Sequence, residues 1–276
     1  MAKTKNKVAF VLSGGGNYGV LQVGALEYLL QQGIYPDFLV GASAGALNSV
    51  FFALDPSPDQ IERMKNLWLK AKGEDAGVSS PLVTLRRMIN RHPALFDAHA
   101  LSLFLKKTLP PGITTFGQLK IPAYTVAVRF RDGTLKVFGD NPGDLLIDGM
   151  MASAAIPPYY SPWVVQGEEY LDGGVISNLP LLQAIQRGAG EVYALAIQES
   201  LGGISEKMDW TQILSYTISL MIKFQMEKEL EEAQSRGVTL HYIPLTHEDV
   251  PFWDFKRGKE LLERGKREAE EALKRN

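Results

Sequence analysis

A serine with glycine two residues to either side, Gly41-Ala42-Ser43-Ala44-Gly45, is the residue set in this chain best suited to nucleophilic chemistry. A G-x-S-x-G turn lifts the serine hydroxyl to the tip of a strand-to-helix bend. The serine backbone is strained there and side chains two positions away would collide, so glycine stands at both. The context fits: Asp37 to Val40 is a short apolar strand leading in, and Ala46 to Leu54 reads as a helix leading out. The competing reading makes Ser43 no more than the cap of that helix.

A nucleophile also needs donors for a developing oxyanion. Ser13-Gly14-Gly15-Gly16-Asn17-Tyr18-Gly19 offers bare backbone N–H groups at the positive end of the helix that follows. One such donor typically contributes on the order of ~3 kcal/mol to the transition state. The same glycines, Gly14, Gly16 and Gly19, meet the dinucleotide-binding fingerprint. That fingerprint requires an acidic residue ending the second strand. Asp37 stands at the start of that strand instead, and the strand's end is the serine turn.

Two kinds of base could activate Ser43. The chain order Ser, Asp, His would suit a hydrolase triad if His241 or His247 were the third member; His92 and His99 lie in helical or turn segments. The glycine loop follows the first strand rather than a later one, which argues against that triad fold. Asp172 is the stronger candidate. Leu171-Asp172-Gly173-Gly174 places a carboxylate at a strand end, although many Asp-Gly pairs simply close turns. An aspartate near its ordinary pKa of ~3.9 is a poor base for a hydroxyl. Burial beside apolar walls raises it, so the dyad needs a dry pocket.

These residues must be carried by a sheet with helices around it. Val8 to Leu12 is a continuous apolar run, as in a strand covered on both faces. Asn17 to Gln32 has helical spacing and Gly33 suits its end; Ser57-Pro58 starts another helix. Lys72 to Ser80 reads as loop, and Pro81 to Leu109 as two short helices parted by His92-Pro93. Asp132-Gly133 closes a hairpin between Tyr124–Val128 and Leu135–Phe138. Leu145 to Ala155 is a helix of small residues, and Asn178 caps one through Arg187. Strands follow at Glu191–Ile197 and Val238–Ile243, with helices over Lys207–Arg236 and Phe255–Lys274. Alternating strands and helices predict an α/β fold with a mainly parallel central sheet, and no linker splits the 276 residues, so a single domain is expected. The apolar positions from Trp210 to Met226 read first as core, and otherwise as an acyl-chain wall or an interfacial surface.

Composition narrows the partners. A net charge of −2 gives no reason to expect nucleic acid. The absence of cysteine removes disulfides, thiol catalysis and cysteine-ligated zinc. No stretch approaches a membrane span, and the N-terminus lacks a secretory pattern, so a cytoplasmic protein is expected.

Together these blocks resemble the patatin-like phospholipase family. The resemblance rests on Gly14-Gly15-Gly16-Asn17-Tyr18-Gly19, Gly41-Ala42-Ser43-Ala44-Gly45, Ala152-Ser153-Ala154-Ala155-Ile156-Pro157 and Asp172-Gly173-Gly174, spread over roughly residues 7–198. It implies a three-layer α/β/α sandwich, the C-terminal helices packing on the motif-bearing part. It also implies a Ser–Asp dyad without histidine, no metal or cofactor, and hydrolysis of acyl esters in lipids. Ser43 is then the nucleophile, Asp172 the base, and the N–H groups of Gly14, Gly15 and Gly16 the oxyanion donors. Tyr18 stands where the family usually carries Arg or Lys. A phenol hydrogen-bonds or stacks but cannot pair with a phosphate by charge, so neutral esters stand beside phospholipids as expected substrates. Tyr18, Tyr159, Tyr160 and Trp163 are the expected pocket residues. Transient contact with a membrane or micelle surface is the expected setting, and no protein partner is implied. A catalytically idle acyl-binding protein on the same scaffold is the alternative, with the dinucleotide module a weaker one.

Overall fold

A computed structural model describes residues 6–199, 210–247 and 256–275. The first apolar run is β1 (Lys7–Leu12), and after the glycine loop and a short 3₁₀ turn (Gly16–Tyr18) comes α1 (Gly19–Gln31). Then follow β2 (Phe38–Ala42), α2 (Ala44–Leu54), α3 (Pro58–Lys70), α4 (Pro81–Ile89) and α5 (Ala98–Thr108). The middle of the chain holds β3 (Ala123–Arg129), β4 (Leu135–Phe138), α6 (Leu146–Ser153), β5 (Trp163–Val165) and β6 (Glu168–Asp172). The last elements are α7 (Leu181–Gln186), β7 (Ala189–Glu199), α8 (Trp210–Ser235), β8 (Thr239–His247) and α9 (Gly258–Arg275).

The eight strands among the described residues form one sheet, in the order β5-β6-β3-β2-β1-β7-β8 with β4 paired to β3. The run β3-β2-β1-β7-β8 is parallel; β4, β5 and β6 add antiparallel pairs at one side. Side-chain alternation along β1 shows why the run is apolar throughout. Phe10 and Leu12 enter one core with α1, α2 and α9, whereas Ala9 and Val11 enter the other with α7 and α8. The sheet is therefore covered on both faces, the three-layer α/β/α arrangement. The hairpin turns at Asp132-Gly133 as expected, with Gly133 at φ 71°. Ser57 caps α3 by accepting a hydrogen bond from Gln60 N–H at 3.3 Å.

The C-terminal helix sits on α1 through two glycines. A Cβ on Gly24 would strike the Leu262 carbonyl, and one on Gly265 the Leu21 carbonyl. Only bare backbone permits so close a crossing.

Two expectations are corrected, and one strand is added. Asn178 does not cap a helix, since α7 begins only at Leu181. The strand β5 was not anticipated, because its three residues are too few to show a period. Most of the apolar stripe of Trp210–Met226 is not core: Met221 is 67% and Phe224 62% exposed, and Ile213, Leu214, Ile218 and Leu220 are exposed too. The helix is buried instead through Met226, Glu229 and Ala233 in its second half. The Trp210 side chain, residues 207–209 and Phe255 lie outside the described residues. Among the described residues no helix is long and apolar enough to cross a membrane.

Candidate active site

Ser43 stands between β2 and α2 with φ 51° and ψ −124°, a left-handed backbone that side chains rarely adopt. Its neighbours explain how that conformation is tolerated. A Cβ on Gly41 would overlap the Gly45 carbonyl, and one on Gly45 would overlap the carbonyls of Leu12 and Ser13. The glycines let the turn fold back on itself against the end of β1. From α6, Ser153 Oγ accepts the Ser43 N–H at 2.9 Å. Ser43 itself is half-buried, so its hydroxyl is held but reachable.

Register brings the carboxylate to the serine. Ala42, the last residue of β2, lies opposite Val126, and Asp172, the last of β6, lies opposite Ala127. Two strand ends distant in sequence thus meet at consecutive residues of β3. Asp172 is 1% exposed, and its Oδ1 accepts the Gly174 N–H at 2.7 Å. Its Oδ2 is buried with no hydrogen-bond partner among the described residues. Burial pushes the Asp172 pKa up to about 7, against the opposing pull of the Gly174 N–H and the Ser43 hydroxyl. The hydroxyl is near enough to favour the charged carboxylate, yet no formed hydrogen bond joins them, and the open Oδ2 is the acceptor that remains.

The glycine loop closes against the same point, for a Cβ on Gly14 would stand 3.0 Å from Ser43 Cβ. The three expected donors are not equivalent. Gly14 N–H is committed to the Asn178 carbonyl at 3.1 Å, which corrects its expected oxyanion role. The amides of Gly15 and Gly16 donate to no group among the described residues and remain candidates. A buried polar network supports the loop from below. Gln22 Nε2 donates to the Ser13 carbonyl at 2.8 Å, and Asn48 Nδ2 to the Gly19 carbonyl at 2.8 Å and Gln22 Oε1 at 2.9 Å. Trp68 Nε1 completes it by donating to Asn48 Oδ1 at 2.9 Å.

Ser43, Gly16 and Asn17 open into a cavity of about 130 Å³ whose walls are largely apolar: Leu47, Phe51, Met64, Trp68, Phe96, Leu101, Phe104 and Leu105. Of the four aromatics expected there, only Tyr160 lines it. Tyr18 is buried in the core with its ring stacked on His247 at 3.6 Å. Tyr159 packs on Phe96, and Trp163 Nε1 donates to Asp148 Oδ1 at 3.1 Å. The cavity's tyrosine is Tyr160, whose hydroxyl donates to the Ala76 carbonyl. These positions follow from long-range packing, which adjacency to the motif blocks does not reveal. Ser153 was visible in the small-residue block, but nothing in that block showed its hydroxyl reaching the Ser43 amide.

No histidine bonds to Ser43 or Asp172 among the described residues. His241 pairs with Glu191 at 3.1 Å, where β7 and β8 begin, far along the strands from the serine turn. Asp37 does not serve as a ribose ligand either, since its Oδ2 accepts the Val8 N–H at 2.7 Å.

The family model described as Patatin-like phospholipase matches residues 10–185. Mouse patatin-like phospholipase domain-containing protein 7 is 27% identical over 197 residues, covering 70% of this chain and 14% of that protein. The lysophospholipase NTE1 of Lodderomyces elongisporus is 24% identical over 210 residues, covering 75% of this chain and 14% of that protein. This chain therefore spans about one-seventh of the length of these curated relatives. Among solved structures, VipD from Legionella pneumophila superposes with a TM-score of 0.54 at 15% identity, covering 98% of this chain and 67% of that one. With the family model matching well over half of its length, the chain belongs to the patatin-like phospholipase family.

Proposed function

We propose that the protein is a lipid acyl hydrolase that cleaves carboxylic esters through an acyl-Ser43 intermediate, with Asp172 as its only base. The observation that carries this reading is the carboxyl of Asp172: dry, poised near neutral pH, one oxygen unfilled, beside a hydroxyl on a strained turn.

In the first half-reaction Ser43 Oγ attacks the ester carbonyl carbon and its proton passes to Asp172 Oδ2. Negative charge gathers on the carbonyl oxygen, where the unpaired amides of Gly15 and Gly16 and the start of α1 face it. Collapse breaks the bond to the alcohol, which leaves with the proton from Asp172. A water then attacks the acyl-serine, giving its proton to Asp172. The second collapse returns that proton to Ser43 Oγ and frees the carboxylic acid. A base near pKa 7 suits both directions of transfer better than an ordinary aspartate.

The apolar lining of the cavity favours a hydrocarbon acyl chain over a polar one. No cationic side chain stands at position 18 to fix a phosphate, so neutral esters and phospholipids are both within the proposal. The test is turnover of esters of increasing chain length, neutral and phosphorylated substrates side by side, by the protein and by Ser43→Ala. Activity confined to the unsubstituted protein supports the reading. Binding of fatty acid with no turnover by either protein would favour the idle acyl-binding alternative.

A further inference from the structure

The helix α4 is built inside out. Its stripe at i, i+3 and i+7 is Leu82, Leu85 and Ile89, widened by Met88, and in a soluble protein that stripe would face inward. Here it faces water: Leu82 is 80% and Ile89 71% exposed, with Leu85 and Met88 each more than half exposed. The more covered positions are Thr84 and Arg87, one turn apart on the opposite side.

Charge singles out the same segment. Residues 76–96 contain Arg86, Arg87 and Arg91 and no Asp or Glu, although the whole chain carries −2. The segment is also attached to the cavity. Ala76 and Phe96 both line it, and the two ends of the segment meet where Asp97 N–H donates to the Gly77 carbonyl at 2.9 Å. The inverted helix therefore projects from the rim of the cavity that holds Ser43.

We infer that α4 is an interfacial helix that seats the cavity mouth on an anionic lipid surface, Leu82, Leu85, Met88 and Ile89 entering the acyl region while Arg86 and Arg91 meet lipid phosphates. Apolar side chains flanked by arginines are the composition such helices use. A second copy of the chain is the poorer occupant, since a two-fold contact through α4 would set arginines against arginines. The inference builds on the acyl-hydrolase reading, because a water-insoluble ester must reach Ser43 from such a surface.

The test uses the full chain with Ser43→Ala, so that binding is read without turnover. Vesicles of equal parts phosphatidylglycerol and phosphatidylcholine, and vesicles of phosphatidylcholine alone, are sedimented with the protein. Binding is expected on the anionic vesicles, weaker on the neutral ones and reduced by salt. Arg86→Gln with Arg91→Gln should weaken it about thirtyfold, and Leu82→Asp with Ile89→Asp at least tenfold. In the chain retaining Ser43, neither pair should alter hydrolysis of a water-soluble acetyl ester, which also shows that the variants are folded. No binding to anionic vesicles, or binding that both pairs leave unchanged, overturns the inference. So does self-association that Leu82→Asp with Ile89→Asp abolishes. Failure of the unsubstituted protein to cleave the soluble ester would count against the hydrolase reading alone, since the vesicle measurement does not depend on it.

Discussion

The Ser43 amide donates to Ser153 Oγ at 2.9 Å, so a serine on α6, 110 positions later, holds the turn that carries the nucleophile. Ser153→Ala leaves that N–H without its partner. The expected cost is about 1–3 kcal/mol of stability by urea unfolding, with kcat/KM falling about tenfold as the turn loosens. A variant as stable and as active as the parent would remove Ser153 from the account.

The raised pKa of Asp172 sets the direction of the pH dependence. The base works only when deprotonated, so kcat/KM should climb with pH and level off above about 7. An acidic limb centred near 4 instead would mean that the carboxyl is not buried as described.

Stability runs the other way. An acid whose pKa is higher folded than unfolded binds more protons in the native state between the two values, here 3.8 and about 7. This group's contribution therefore falls as pH rises through that window. Asp172→Asn should abolish turnover and yet raise stability at pH about 8 by a few kcal/mol, with little change at pH about 4. Urea midpoints at the two pH values check both signs.

The cavity wall predicts chain-length selectivity. Leu47 lies one helical turn after Ser43 and lines the cavity, so Leu47→Trp fills the space beyond the nucleophile. Hydrolysis of long-chain esters should drop at least about tenfold while that of acetyl esters persists. Equal losses on both would show that the acyl chain lies elsewhere.

The contact of α1 with α9 tests the fold away from the chemistry. Gly265→Val puts a branched side chain against the Leu21 carbonyl. Destabilisation of about 3 kcal/mol or more is expected, read from the urea midpoint. The companion Gly33→Ala, in open space but at φ 74°, should cost less.

What was legible in the sequence was whatever local spacing enforces. Gly41 and Gly45 announce the turn because no other residue fits against the backbone there, and Asp172-Gly173-Gly174 marks a strand end by the same logic. The unbroken apolar run of β1 and the helical periods around it gave the layered sheet. Contacts between distant segments were not legible. Asn178 looks like a helix cap, but its carbonyl takes the Gly14 N–H, and its own N–H donates to Gln225 Oε1 at 2.8 Å. Tyr18 sits beside the glycine loop yet turns inward to His247. In α4 the apolar period is real, but period alone does not say whether a stripe meets protein or solvent.

The central claim is that one hydroxyl, at Ser43, becomes acylated because Asp172 removes its proton. A long-chain alkyl fluorophosphonate mimics the acylating ester, and the modified residue is located by peptide mass spectrometry. One adduct per chain on Ser43, formed at least about a hundredfold more slowly in Asp172→Asn, is the predicted result. An adduct on any other residue, no adduct on the folded protein, or a rate untouched by Asp172→Asn would contradict it.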